Sequence, residues 1–261
     1  MTEERERWSR GSAYDAYVGR WSRLVAGEFV RWLGTPPKAR WLDVGCGTAA
    51  LTRTILDQAD PVAAVGVDRS IDFVAYNIPG ERAAFVAGDA TVLPIADGVF
   101  DAAVSGLVLN FVPEPARMVA EMARVTREGG TVALYVWDYA GEMQMMRYFW
   151  DAAVELDPAA GELDEGARFS ICNPGRLSAL FAEAGLSDVE SRTIDIDTSF
   201  RDFDDYWTPF LGGTGTAPTY VASLTGERRA ALRERLRAGL PASKDGSVRL
   251  IARALAVRGA A

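Results

Sequence analysis

Three carboxylates and two glycines carry the chemistry that can be read directly from this sequence. Asp43, Gly45 and Gly47 lie in the stretch ARWLDVGCGTAALT (39–52), which is apolar up to the aspartate and bare after it. Glycine permits a tight turn and lets the backbone approach a ligand closely. A helix opening straight after the turn adds unpaired N–H donors. Asp68 closes a second apolar run, VAAVGVD, and Asp89 closes a third, AAFVAGD. A carboxylate has acceptor sites for two O–H donors, as a ribose would offer. Read as G-x-G-x-x-G/A, Gly45, Gly47 and Ala50 match the dinucleotide fingerprint, with Asp68 about twenty residues on where that fingerprint expects an acid. Asp43, two residues before the first glycine, is not part of that fingerprint. It can orient the N–H groups of the turn, reach a ligand cation, or simply cap the turn.

Composition removes other chemistries. The 261 residues include no histidine, so His triads, His metal sites and a His general base are excluded. Cys46 and Cys172 have no metal-ligand spacing, and no metal site is expected. The net charge of −8 disfavours a nucleic-acid partner. No apolar run is long enough to span a membrane, and the charged opening MTEERERWSR has no apolar signal region. A cytoplasmic protein is therefore expected, as a monomer or a homodimer.

The elements that must position these groups alternate. Strands are expected over 40–45, 62–68, 83–89, 100–105 and 131–138. Helices are expected over 48–58, over 70–77 behind a capping Ser70, and over 115–126, where REGG is read as the stop. Alternation over this length predicts an α/β fold: a Rossmann-like, doubly wound, mostly parallel sheet. The leader 1–38 reads as helix, with Tyr14, Tyr17 and Trp21 on one face and Arg20 beside them. Beyond 138 come a Met/aromatic helix, an acidic loop, a helix capped by Asn173, two late strands (188–200 and 247–259) and an Arg-rich helix near 226–238. One domain is expected, with 39–138 as its ligand-binding core and 139–261 as inserts and last strands.

The ordered motifs DVGCGTA, GVD, AGDATVLPI and FDAAVSGLVLNFVPEPARMVAEMARVTREGGTVALYVWD resemble the class I S-adenosylmethionine-dependent methyltransferases, specifically the small-molecule, ubiquinone/menaquinone-biosynthesis type. The resemblance covers 39–138 and the leader YDAYVGRWSRLVAGEF. One departure is Ala49, where the commoner motif has a third glycine. The resemblance implies S-adenosylmethionine as cofactor. Asp43 to Gly47 would floor its methionine part, Asp68 would take the ribose, and Asp89 with the Ala90 N–H would take the adenine. Arg69 and Leu93 would flank the ring, and Ser105 and Leu107 would pass under the sulfonium. Tyr17 and Arg20 would belong to a helical lid, with Arg20 on the methionine carboxylate.

For the acceptor, the resemblance and the late inserts point to Asn110, Trp137, Tyr139, Met143, Tyr206, Trp207 and Phe210, a sulfur-rich and aromatic set suited to a flat apolar molecule. Asp138 is the candidate base, since no histidine exists. The acids Glu162, Asp164, Glu165, Asp202, Asp204 and Asp205 read as solvated faces. Two other readings stay open: a non-catalytic nucleoside-binding module and a nicotinamide-dependent oxidoreductase.

Overall fold

The structure, a computed structural model, describes residues 19–212 and 215–261. The chain divides into two compact units: Ser22–Trp137 with Ile171–Ile194 and Ala254–Ala261, and Met1–Trp21 with Asp138–Ser170 and Asp195–Arg253.

The seven strands are β1 (Arg40–Val44), β2 (Ala63–Asp68), β3 (Ala83–Ala87), β4 (Phe100–Gly106), β5 (Thr126–Trp137), β6 (Ser187–Phe200) and β7 (Val248–Ala260), in the order β3-β2-β1-β4-β5-β7-β6. The first five pair in parallel, and β7 runs antiparallel to β5. β1 is central, so four of its five residues are buried, and an apolar run is what a strand covered on both faces requires. The order reverses between β1 and β4. Crossovers leave in opposite directions there and open a crevice at the strands' carboxyl ends.

Helix α1 (Arg20–Leu33) buries Val25, Ala26, Phe29, Val30 and Leu33 along one stripe. Phe29 lies 4.7 Å from the Tyr135 ring on β5. Arg258 on β7 donates to the Trp32 carbonyl at 3.0 Å. From Ser22 onward the leader is thus a packed element of the sheet unit. Helices α2 (Ala50–Gln58), α3 (Ile71–Tyr76) and α4 (Pro115–Val125) connect the parallel strands.

REGG is not the stop that the sequence reading made it. Helix α4 ends at Val125 and β5 begins at once, with Thr126 already paired to Phe100. A register shift between Phe100 and Ala102 absorbs the glycines, and Gly129 donates to the Ala261 carbonyl at 2.8 Å. Strand pairing on both sides outweighs the local breaker signal.

In the second unit, α5 (Gln144–Leu156) buries Met145, Met146, Phe149 and Trp150. Phe149 stacks on Phe210 with centroids 4.5 Å apart, and the Tyr206 hydroxyl donates to the Met145 carbonyl at 2.9 Å. The acidic segment is a solvated face only at Glu162. Glu165, at the start of α6 (Glu165–Arg168), is buried and accepts from the Trp150 indole N–H, while Asp164 pairs with Arg147. Burying such a carboxylate requires a partner, and each has one.

Candidate cofactor site

The glycine turn lies at the carboxyl end of β1. Gly45 and Cys46 both donate to the Val67 carbonyl, at 2.7 and 3.0 Å, which swings the chain off the sheet. Gly45 (φ +76°) has no room for a side chain: a Cβ would sit 2.6 Å from both methyls of Val108. Gly47 (φ +49°) is the opposite case, because a Cβ there would meet nothing among the described residues within 4 Å. One glycine answers to packing and the other faces open space. Ala49 is also left-handed, at φ +63°. That conformation explains why glycine is the commoner choice in the motif, and the alanine holds it at a cost of about 1–2 kcal/mol.

Asp68 organises the turn. Its Oδ2 accepts from the Gly47 N–H at 2.9 Å and its Oδ1 from the Ser70 N–H at 2.8 Å. Each oxygen keeps a second acceptor site. Ser70 in turn caps α3 by accepting from Phe73 N–H at 3.4 Å. Asp43 is held by the helix that follows the turn. It is 2% exposed and accepts from the Thr52 hydroxyl of α2 at 2.6 Å. Burial pushes its carboxyl up to about 7 against the pull of the Thr52 bonds.

Asp89 is exposed at the end of the third strand. Thr91 donates to it through its backbone N–H (2.8 Å) and its hydroxyl (2.7 Å), and these bonds hold its carboxyl below the usual range. Ala90 lies inside that turn, and Arg69 is exposed. A buttress that sequence reasoning missed fixes the next residues. The N–H of buried Leu93 donates to Glu121 of α4 at 2.7 Å, and Arg124 bonds the same carboxylate and the Leu93 and Ile95 carbonyls. Locally it reads only as an acid and a base three apart on a helix, a spacing that any solvated ion pair shares.

The loop after β4 borders the turn. The Ser105 hydroxyl donates to the Val44 carbonyl at 2.7 Å, which ties β4 to β1 and commits that proton to the sheet. Leu107 is left-handed (φ +63°) and donates to the Tyr135 carbonyl at 2.8 Å. Asn110 sits in a 3-10 turn (Leu109–Phe111), with both side-chain polar atoms buried and unpaired among the described residues. Trp137, at the end of β5, is 2% exposed.

The remaining expected residues belong to the second unit, except Tyr17, which lies outside the described residues together with Tyr14. The Arg20 guanidinium lies between the Trp21 and Phe200 rings, 4.4 and 4.7 Å from their centroids, and its Nη1 is 3.3 Å from Asp205. The fork expected on a methionine carboxylate thus has an internal partner, and Asp205 is not a free acid. The Asp138 carboxylate accepts from the Gly141 and Glu142 N–H groups at 3.1 and 3.0 Å, so it caps a turn rather than standing free as a base. Met143, Tyr206, Trp207 and Phe210 are all under 5% exposed. They form a core rather than an open wall. Tyr139 is half-buried, 5.5 Å from Phe169.

Among the described residues no group of three His, Cys, Asp or Glu is placed to hold a metal ion, and no helix is long and apolar enough to cross a membrane.

A parallel sheet with its glycine turn and its second-strand carboxylate joined at the switch point is the architecture of a nucleoside-cofactor enzyme. A methyltransferase-domain family model matches residues 42–134. The demethylmenaquinone methyltransferase of Roseiflexus castenholzii is 35% identical over 182 residues, 63% of this chain and 75% of that protein. The ubiquinone/menaquinone biosynthesis C-methyltransferase UbiE of Methylobacterium nodulans is 30% identical over 151 residues, 54% of this chain and 58% of that one. The solved phosphoethanolamine N-methyltransferase 2 of Haemonchus contortus, in complex with S-adenosyl-L-methionine, has the same fold, with a TM-score of 0.60 at 13% identity over 96% of this chain and 57% of that one.

The chain belongs to the class I S-adenosylmethionine-dependent methyltransferases of the ubiquinone/menaquinone type. It is an enzyme that transfers a methyl group from S-adenosylmethionine to a small molecule. Family membership decides between the methyltransferase and the two readings that the sequence left open.

Proposed function

We propose that this enzyme methylates a small, flat, apolar ring of the quinone class, and that the Gly47–Asp68 corner holds the cofactor. The observation that carries the second part is the pair of bonds on Asp68. Gly47 and Ser70 fix its carboxylate in place and leave acceptor capacity on both oxygens for the ribose hydroxyls. The open space over Gly47 fits a bulky group against bare backbone.

Asp89 and the Ala90 N–H are the adenine-side groups of this reading, with Arg69 and Leu93 at the ring. Asp43 acts through Thr52 on the helix behind the turn. Gly45, Ser105 and Leu107 shape the crevice wall. Bound S-adenosylmethionine supplies a methyl on a positively charged sulfur, already activated for direct displacement. What this chain's residues contribute is alignment and exclusion of water. Asn110 offers a donor and an acceptor, both buried and unpaired, to orient an oxygen-bearing ring. The quinone class is supported by the names of the relatives at 35% and 30% identity. The absence of a basic run between the aromatic segments goes against a polynucleotide acceptor. The expected cytoplasmic setting belongs to the same reading.

Calorimetric titration with S-adenosylhomocysteine and with NAD tests the cofactor. Methyl incorporation from labelled S-adenosylmethionine into demethylated naphthohydroquinones, phenols, tRNA and protein tests the acceptor. Binding of the homocysteine product with methylation of the ring compounds is expected. Incorporation only into a macromolecule overturns the acceptor.

A further inference from the structure

Gly47 has no side chain, and among the described residues nothing packs where one would be. The two peptide planes that meet at its Cα are each held by a hydrogen bond. Its N–H goes to Asp68 at 2.9 Å. Its carbonyl accepts from Nδ2 of Asn77 at 2.8 Å, a bond that crosses thirty residues of chain. Asn77 is the residue that ends α3, and it is 4% exposed.

These contacts close a ring. Asp68 joins Gly47 to the Ser70 N–H, Ser70 caps α3 at its start, and Asn77 returns from its end to Gly47. Helix α3 is six residues long and none of them is buried. So short a helix is not stable by itself, and with no residue fully buried it gains little from packing. Its two ends are what locate it. At the far end the Asn77 backbone N–H reaches the Phe73 and Val74 carbonyls at 3.2 and 3.3 Å, which leaves the amide side chain pointed back at the turn.

The choice of residue carries a cost. Oδ1 of Asn77 is buried with no partner among the described residues. An unpaired buried acceptor is unfavourable, and an apolar side chain of similar size would avoid it. What the amide provides in return is the bond to Gly47.

We propose that Asn77 is a positioning residue for cofactor binding, locking the Gly47 peptide from its carbonyl side so that the glycine turn and the Asp68 carboxylate are held as one rigid corner. This rests on the reading above in which Gly47 and Asp68 hold the cofactor. Asn77 acts through Gly47 and not on the reacting atoms. When its amide is removed, the peptide plane that joins Gly47 to Thr48 loses this anchor. The dihedrals at the Gly47 Cα, which set that plane against the neighbouring one whose N–H orients Asp68, are then less tightly held.

The test is calorimetric titration of the full chain with S-adenosylhomocysteine, comparing the parent with Asn77→Ala, Asn77→Asp and Asp68→Ala. Losing one net hydrogen bond predicts a Kd raised about five- to tenfold in both Asn77 variants, with the number of sites per chain unchanged. A purely structural role would instead lower the number of competent sites and leave the Kd of the remainder alone, and that result overturns the proposal. Asn77→Asp keeps the size and drops the donor, so it carries the test should Asn77→Ala fail to fold. A parent-like Kd in a folded Asn77 variant, with Asp68→Ala impaired, overturns the lock and leaves the site standing. A parent-like Asp68→Ala overturns both.

Discussion

Thr52 donates its hydroxyl to the Asp43 carboxylate at 2.6 Å, and both side chains are buried. The pair joins the last turn of β1 to the helix after the glycines. Burial raises the Asp43 carboxyl from 3.8 to about 7. The folded state therefore keeps a proton that the unfolded chain has already lost. The stabilisation is full below the unfolded value and disappears as pH rises through about 7. Asp43→Asn, which removes the titration and keeps an acceptor for Thr52, flattens this dependence. The effect is on the order of a few kcal/mol at its upper end, from about 1.4 kcal/mol per pKa unit. Thermal melts at pH 5 and pH 8 check it, and the gap between them narrows in the variant.

Asp68→Ala removes two charge-assisted bonds to backbone and the acceptor proposed for the ribose. Such bonds contribute about 1.5–3 kcal/mol each. At least about a tenfold loss of S-adenosylhomocysteine affinity is expected in a protein that still folds. Affinity equal to the parent's removes Asp68 from the site.

Gly45 and Gly47 separate by mechanism. Both are left-handed, and an alanine at either costs about 1–2 kcal/mol in backbone energy. Only Gly45→Ala also forces a Cβ to within 2.6 Å of Val108, an overpacking of about 1–3 kcal/mol more. Denaturant titrations should rank Gly45→Ala well below Gly47→Ala in stability. Product binding should show Gly47→Ala as the functionally damaged folded variant. Equal destabilisation would mean that the space over Gly47 is not open.

Trp207→Ala acts on stability. Trp207 is 4% exposed and lies 6.1 Å from the Phe210 ring, inside the aromatic core of the second unit. Deleting such a ring costs about 3–5 kcal/mol. A large drop in the unfolding midpoint is expected. A raised acceptor KM in a protein of unchanged stability would restore Trp207 to the acceptor wall.

How much of this was legible follows from how local each cause is. The alternation of strands and helices, the glycine turn and Asp68 rest on near-neighbour rules. Apolar runs alternate with helical periods, and a bare turn precedes a helix, with an acid at the end of the next strand. Those features act over a few residues and survive any tertiary arrangement. The buttress of Glu121 and Arg124 under Leu93, the Thr52 partner of Asp43, and Asn77 on Gly47 were not legible, because each joins groups that only the sheet brings together.

The same division runs through the second half of the chain. A methionine and aromatic composition is equally suited to a wall and to a core, and side-chain type alone cannot choose between them. Packing of α5 against Tyr206 and Phe210 chose the core, because burying large rings on one another releases more water-exposed apolar area than lining a cleft. Likewise Glu165 reads as a surface acid until the Trp150 indole arrives to satisfy it. By itself the sequence determined the class of fold, the turn and the carboxylate beside it. Tertiary structure decided which polar groups are spent on the protein and which are left open, since a hydrogen-bond partner or a covering ring can come from any distance along the chain.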